Sequence, residues 1–354
     1  MEINSKIDSN AVALSMRNFG SMPHEVAAEW SSQFALQKQS EIPFPKKAII
    51  EIANTCNLDC PMCRVGQFGV NLNRVLPLEK FTEIINQLQG VEIVRLNGLG
   101  ESTLVPDFNK YLQILFDRKI IVELISNGSG KEEHYQSILE NNGVVLISFD
   151  AAEKEIFESL RRPANWEIYT DKLISLAKFA KNIKALDRLF LLFTLQKQNI
   201  NQTSKLVEKC CEWNIHNIIV NVVKLSQTDW ILQRIIDIKN DFQVASQLAE
   251  QNNIALLLPA EIEGINLEIK NSIQTSACNC KMPWEEIVIR WNGDVQVCNM
   301  FNPYTYGNIF LNDLETIWNN SFANLFRKYI NTKMKHPYCN SCVYIKDAYD
   351  YRKN

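Results

Sequence analysis

The segment Ala48-Ile-Ile-Glu-Ile-Ala-Asn-Thr-Cys56-Asn-Leu-Asp-Cys60-Pro-Met-Cys63 decides how this 354-residue chain is read. Its first five residues form a short strand over 48–52 that runs directly into three cysteines. The loop after a strand is where an α/β sheet presents its ligand-binding edge. Three thiolates on one such loop can hold three corners of an iron–sulfur cubane and leave the fourth iron open. An open iron is a substrate or cofactor site, as the open position of a catalytic zinc is. The competing reading is a structural zinc or a run of core cysteines. A structural zinc asks for four ligands, and the loop itself carries three.

Outward from this loop, strand and helix alternate. Helices are expected over 78–89, 106–117, 131–141, 154–160, 166–181 and 202–213, and strands over 92–97, 120–126, 144–149, 189–195 and 218–223. The strands are continuous apolar runs, as expected where both faces of a sheet are covered. With the strand over 48–52 they give six β–α units, and hence a parallel sheet, curved or open. Before it, an amphipathic helix over 23–39 carries Val26, Ala27, Trp30 and Phe34 on one side. After about residue 260 the pattern changes. Residues 285–291 and 294–298 flank Asn292-Gly293, the signature of a β-hairpin, and short helices follow over 313–319 and 322–330.

Composition excludes several classes. Lys plus Arg number 37 against 40 Asp plus Glu, without long runs of one sign, so no nucleic-acid or anionic-membrane surface is advertised. The polar start Met1-Glu-Ile-Asn-Ser-Lys6 carries no apolar signal region, and no stretch approaches the run of about eighteen apolar residues that a membrane helix needs. A cytoplasmic chain is expected. Its ten cysteines are clustered rather than dispersed: Cys56, Cys60 and Cys63, then Cys210 and Cys211, then Cys278, Cys280, Cys298, Cys339 and Cys342. Clustered cysteines without an export signal point to metal-bound thiolates rather than crosslinks. Cys210 and Cys211 fall on an expected helix and read as core packing.

The C-x3-C-x2-C spacing after a first strand resembles the signature of the radical S-adenosylmethionine (SAM) superfamily. Met62 stands before the third cysteine, where the family often has an aromatic residue. The resemblance implies that the open iron binds the amino and carboxylate groups of SAM. Reductive cleavage then releases a 5′-deoxyadenosyl radical that abstracts hydrogen from a substrate. It also implies a SAM site at successive strand ends. Asn97-Gly98-Leu99-Gly100-Glu101 is similar to the glycine-rich segment ending in Gly-Glu, where the glycines would let the backbone approach the methionyl ammonium and Glu101 would accept from it. Ser126-Asn127-Gly128 and Ser148-Phe149-Asp150 resemble the next two strand ends, and Arg161 would pair with the methionyl carboxylate.

Cys280, Cys298, Cys339 and Cys342 are similar in spacing to the SPASM/twitch extension, where cysteines bind an auxiliary [4Fe–4S] cluster. Pro283-Trp284, Gly307-Asn308-Ile309 and Ile317-Trp318 share that likeness. Cys280 is preferred over Cys278 because it precedes Pro-Trp at the family's spacing. No cysteine follows Cys342, which fits the shorter twitch version with one auxiliary cluster; a zinc knuckle is the alternative. The expected fold is α/β: a partial (β/α)6 TIM-like barrel over 47–255, preceded by a helical extension over 1–46 and followed by a small α+β twitch domain over 256–354. The expected function is oxidoreduction with two [4Fe–4S] clusters and SAM, fed by a flavodoxin- or ferredoxin-type reductant. The expected substrate is a small polar metabolite of the sugar or aminocyclitol type, since 46 residues before the first strand are too few for a leader-binding winged helix. Crosslinking or epimerisation of a ribosomal peptide is the alternative. A non-catalytic iron–sulfur carrier is the alternative of another class.

Overall fold

Apolar runs bounded by turn residues become strands, and the amphipathic stretches between them become helices, in the computed structural model, which describes residues 22–34, 42–63, 73–223, 229–259, 262, 280–298, 304–337 and 339. In chain order the elements are α1 (His24–Phe34), β1 (Lys47–Ile50), β2 (Ala53–Asn54), β3 (Arg74–Val75), α2 (Leu78–Gln87), β4 (Ile93–Leu96), α3 (Phe108–Asp117), β5 (Ile121–Ser126), α4 (Glu132–Glu140), β6 (Val144–Ser148), α5 (Lys154–Leu160) and α6 (Trp166–Asn182). There follow β7 (Leu189–Leu195), α7 (Thr203–Trp213), β8 (Asn217–Val222), α8 (Asp229–Gln233), α9 (Ile235–Gln251), β9 (Ala255–Leu257), α10 (Met282–Glu285), β10 (Glu286–Ile289), β11 (Asp294–Gln296), β12 (Thr305–Asn308), α11 (Leu314–Trp318) and α12 (Ser321–Tyr329). The class is α/β, the expected partial (β/α)6 barrel with a small C-terminal α+β module. The chain groups into two compact units that interleave along the sequence.

Among the described residues, the larger unit comprises 51–63, 73–81, 92–223, 229–259 and 262. Strands β4 to β9 lie in it in sequence order, every neighbouring pair parallel. Parallel order puts the C-terminal ends of the strands at one edge, so Asn97-Gly98, Asn127 and Phe149-Asp150 all emerge there. An aromatic cluster packs behind the end of β6: Phe149 meets Phe157 at 4.5 Å, Trp213 at 5.4 Å and Trp166 at 5.5 Å between ring centroids. Such pairs hold a loop in register by burying large rings with little rotamer freedom to lose. The strand expected over 48–52 stops at Ile50, where the buried Glu51 accepts a hydrogen bond from the Leu99 N–H at 2.7 Å. Beyond it β2 pairs antiparallel with β3, so that the cysteine loop is closed at its base.

Among the described residues, the smaller unit comprises 22–34, 42–50, 82–91, 280–298, 304–337 and 339. The hairpin expected around Asn292-Gly293 is β10 and β11, with Gly293 at φ +85° as its turn requires. On one side β12 adds antiparallel to β11, and on the other β1 pairs parallel with β10. Helices α11 and α12 start at side-chain caps, Asp313 accepting from the Thr316 N–H and Asn320 from the Ala323 N–H. The N-terminal helix belongs to this unit. Trp30 of α1 stacks on Tyr329 of α12 at 5.5 Å and donates its indole N–H to the Met334 carbonyl at 2.9 Å.

Candidate active site

Cys56, Cys60 and Cys63 follow β2 on a loop that fixes its own backbone: the Cys63 N–H donates to the Cys60 carbonyl at 3.0 Å, and the Asp59 N–H donates to the Arg162 carbonyl at 2.6 Å. Donors point at the first sulfur. The Leu58 N–H lies 3.5 Å and the Asn127 side-chain amide 3.7 Å from Cys56 Sγ, contacts that favour a thiolate. Cys60 is buried and its thiol is pushed up to about 12 by desolvation, with the Arg161 charge pulling the other way. Burial also raises Cys56. Cys56 feels the charge of Cys63, and Cys60 feels that of both, so three thiolates gathered here need a cationic partner. That donor set suits the open-cornered cubane. Among the described residues no group of three His, Cys, Asp or Glu side chains converges tightly enough for a single metal ion. A cubane spreads its thiolates over separate corners and does not require that convergence.

The strand-end residues are brought together, and most of them bind one another. The Glu101 carboxylate is 3% exposed. Its Oε1 accepts from the Thr103 N–H, the Thr103 hydroxyl and the Ser126 hydroxyl, and its Oε2 accepts from the Asn127 N–H at 2.6 Å. Three protein donors meet Oε1 and one meets Oε2, so the carboxylate is held firmly by the protein while Oε2 keeps a further acceptor position. The glycines are also required by the fold itself. A Cβ at Gly100 would come within 2.6 Å of backbone atoms of Ala53 and Thr55, and one at Gly98 would strike the Glu51 side chain. They allow the β4 loop to close on the chain leading into Cys56, and the Glu101 N–H donates to the Thr55 carbonyl at 2.7 Å.

Asn127 is the link between strand ends and cysteine loop. Besides Cys56, its amide donates to Asn57 Oδ1 at 2.9 Å, and the Ser129 hydroxyl reaches that same oxygen at 3.1 Å. Asn57 was missed in the sequence, because its partners lie 70 and 72 residues away. Tyr135 was missed too; its hydroxyl bonds Ser126 at 2.9 Å and accepts from the Gly130 N–H. Asp150 and Arg161 are paired with each other rather than turned outward: Arg161 Nε and Nη2 both reach Asp150 Oδ2, at 2.6 and 2.5 Å, and the Thr194 N–H donates to Oδ1. Asp150 is fully buried. Arg161 brings positive charge near Cys60, which the Asp150 carboxylate partly offsets. Ser148 ends β6 opposite Leu192, partly exposed.

In the smaller unit, Cys280 and Cys339 are buried and Cys298 is half-buried. Cys280 is held by paired backbone contacts with the Asn331 side chain, at 2.8 and 3.1 Å, and the Cys339 N–H donates to the His336 carbonyl at 2.8 Å. All three act on the Tyr306 hydroxyl through their charge. Cys278 and Cys342 lie outside the described residues. Of the remaining pair, Cys210 is buried in the core as expected, whereas Cys211, the next residue of α7, is exposed.

Comparison with known proteins agrees with this division. The radical SAM superfamily model matches residues 50–210, and an iron–sulfur cluster-binding SPASM domain model matches residues 278–343. Over 87% of its length the chain is 21% identical to the tungsten-containing aldehyde ferredoxin oxidoreductase cofactor-modifying protein of Pyrococcus furiosus, of which 90% is covered. Streptococcus suis SuiB bound to precursor peptide SuiA superposes with a TM-score of 0.63 at 19% identity, covering 91% of this chain and 75% of SuiB. The enzyme anSMEcpe with bound AdoMet and Cp18Cys peptide gives 0.60 at 18% identity, covering 85% of this chain and 87% of that one. The two matched segments hold the two cysteine sets, and the chain belongs to the radical SAM superfamily as an enzyme with a C-terminal SPASM iron–sulfur domain.

Proposed function

We propose that this enzyme oxidises a carbon centre of a peptide substrate. Cys56, Cys60 and Cys63 would hold the SAM-binding [4Fe–4S] cluster, and Cys280, Cys298, Cys339 and Cys342 the auxiliary one. When bound, the cofactors supply one-electron cleavage of SAM to methionine and a 5′-deoxyadenosyl radical, hydrogen abstraction from substrate, and an acceptor for the electron the substrate gives up. The chain's own residues position this chemistry. Asn127 holds the Cys56 loop from the end of β5, Glu101 clamps Asn127 and Ser126, and Asp150 fixes the Arg161 guanidinium near Cys60. SAM would then meet backbone groups of the Gly98–Gly100 loop, Ser148 and the remaining Arg161 nitrogen. The core would run over 47–255 and the auxiliary module over 256–354, with 1–46 as an extension, and a flavodoxin- or ferredoxin-type protein would supply the reducing electron.

The observation that carries the chemistry is the thiol loop tied through Asn127 to the Glu101 network. The peptide is favoured over the small polar metabolite because SuiB and anSMEcpe, which share this fold across most of the chain, were each solved with a peptide. The test is stimulation of 5′-deoxyadenosine formation by fractions of the source cells, with SAM and dithionite present. A peptide fraction that stimulates and loses its effect after protease treatment supports the reading. Stimulation by a protease-resistant metabolite fraction would replace it with the sugar or aminocyclitol class.

A further inference from the structure

Tyr306 is buried at 1% exposure in β12, and its hydroxyl has no hydrogen-bond partner among the described residues. Its backbone is fixed: the Asn320 amide donates to its carbonyl at 2.6 Å, and its ring meets Trp318 and Phe326 edge-on, each at 6.2 Å. A buried hydroxyl held this firmly without a partner is rare and costs free energy that a Phe would not. The hydroxyl lies within electrostatic reach of three cysteines. Strand β11, which leads into Cys298, pairs with β12, and the charges of Cys298, Cys280 and Cys339 all bear on the hydroxyl.

A second orphan lies beside it. The guanidinium of Arg327 is 5% exposed, sits 4.1 Å over the Trp318 ring and 5.7 Å from the Tyr306 ring centroid. It donates to the carbonyls of Pro283 and Trp318, while Nη2 has no partner and no carboxylate pairs with it among the described residues. A guanidinium keeps its charge, and a buried charge normally has a counter-charge. A cubane with four thiolates is an anion, and it gains a further negative charge on reduction.

We propose that the Tyr306 hydroxyl donates a hydrogen bond to a sulfur of the auxiliary cluster, and that the Arg327 charge behind it stabilises the reduced cluster, so that this pair raises the cluster's reduction potential. The proposal rests on the auxiliary-cluster reading of Cys280, Cys298, Cys339 and Cys342. Donors and positive charge near cluster sulfur favour the more negative, reduced state. A cluster so poised accepts an electron from a substrate radical more readily, the property the proposed oxidation needs. Tyr306 is thereby a positioning residue and touches neither SAM nor substrate.

The experiment uses the full chain with Cys56, Cys60 and Cys63 changed to Ala, so that one cluster, about four irons, accounts for every signal. Redox titration followed by electron paramagnetic resonance then compares this parent with Tyr306→Phe, Arg327→Lys and Arg327→Met. At the parent's midpoint potential, Tyr306→Phe is expected to lower the reduced-to-oxidised ratio about tenfold, about 59 mV for a one-electron couple. It should also remove one exchangeable-proton coupling from the reduced cluster's spectrum. Arg327→Met should lower the potential in the same direction, and Arg327→Lys should restore most of it. An iron-loaded Tyr306→Phe protein with the parent's potential and proton coupling would overturn the proposal. A parent that takes up no iron would overturn the auxiliary-cluster reading, and the proposal with it.

Discussion

A carboxylate near a ligand pocket invites a ligand role, and Glu101 also holds four protein donors. Replacing it with Ala orphans the Thr103 and Asn127 N–H groups and two hydroxyls in a buried place. At about 1–3 kcal/mol for each buried donor left unmade, with partial relaxation, Glu101→Ala should lose at least about 2 kcal/mol of unfolding free energy. SAM affinity should fall with it, because Asn127 loses its anchor; urea denaturation and SAM titration measure the two, and weakened SAM binding at undiminished stability would show direct contact instead. Asp150→Ala tests the neighbouring pair. It strands the Arg161 charge in a buried site, where breaking one side of an ion pair costs about 3–5 kcal/mol, so it should destabilise more than Asp150→Asn, which keeps an acceptor. At this scale the sequence announces which residues gather, since chemistry dictates their types. It conceals what they touch. Asn57 and Asn127 are separated by 70 residues, and only the folded sheet makes them neighbours.

Elements longer than about six residues carry their own period, and these were legible: the helices over 106–117, 131–141 and 202–213 fall within two residues of α3, α4 and α7. The short pieces were not. β2 and β3 have two residues each, too few to show alternation, and β12 is Thr-Tyr-Gly-Asn, half of it composed of residues that strands disfavour. Tertiary pairing makes them strands. The glycines likewise carry a constraint that their spacing does not show, the close approach of two chain segments. The methyl of Gly100→Ala would meet backbone of Ala53 and Thr55 at 2.5–2.6 Å, and that of Gly98→Ala the root of the buried Glu51 side chain, its Cγ and, at 2.7 Å, its Cβ. Neither neighbour moves aside cheaply, so both variants should lose stability and retain less iron at Cys56, Cys60 and Cys63, as thermal melts and iron assays of the two would show. Parent-like melting and iron content in both would mean the loop's approach is not what these positions serve.

At the scale of the whole molecule, two cysteine sets lie in two units whose chain segments interleave, so the C-terminal module is built together with the helix and strand that begin the described chain. Anaerobic reconstitution should load about eight irons per chain and about four after Cys56, Cys60 and Cys63 become Ala; stoichiometric zinc in place of the second four would defeat the auxiliary-cluster reading. The division of labour between the sets is separable in turn. Cys298→Ala removes one auxiliary thiolate and leaves the Cys56 loop, the Glu101 clamp and the Asp150–Arg161 pair untouched, so SAM cleavage to 5′-deoxyadenosine should persist. If the substrate radical must lose an electron to the auxiliary cluster, product formation falls much further than SAM cleavage does. A redox-neutral epimerase would instead return a solvent-derived hydrogen to the same carbon and would depend on a donor such as the exposed Cys211 more than on Cys298. The oxidative reading therefore expects one 5′-deoxyadenosine per oxidised product and no deuterium from heavy water at the attacked carbon. Deuterium there, with the product's oxidation state unchanged, would remove the oxidoreductase assignment and leave the superfamily membership standing.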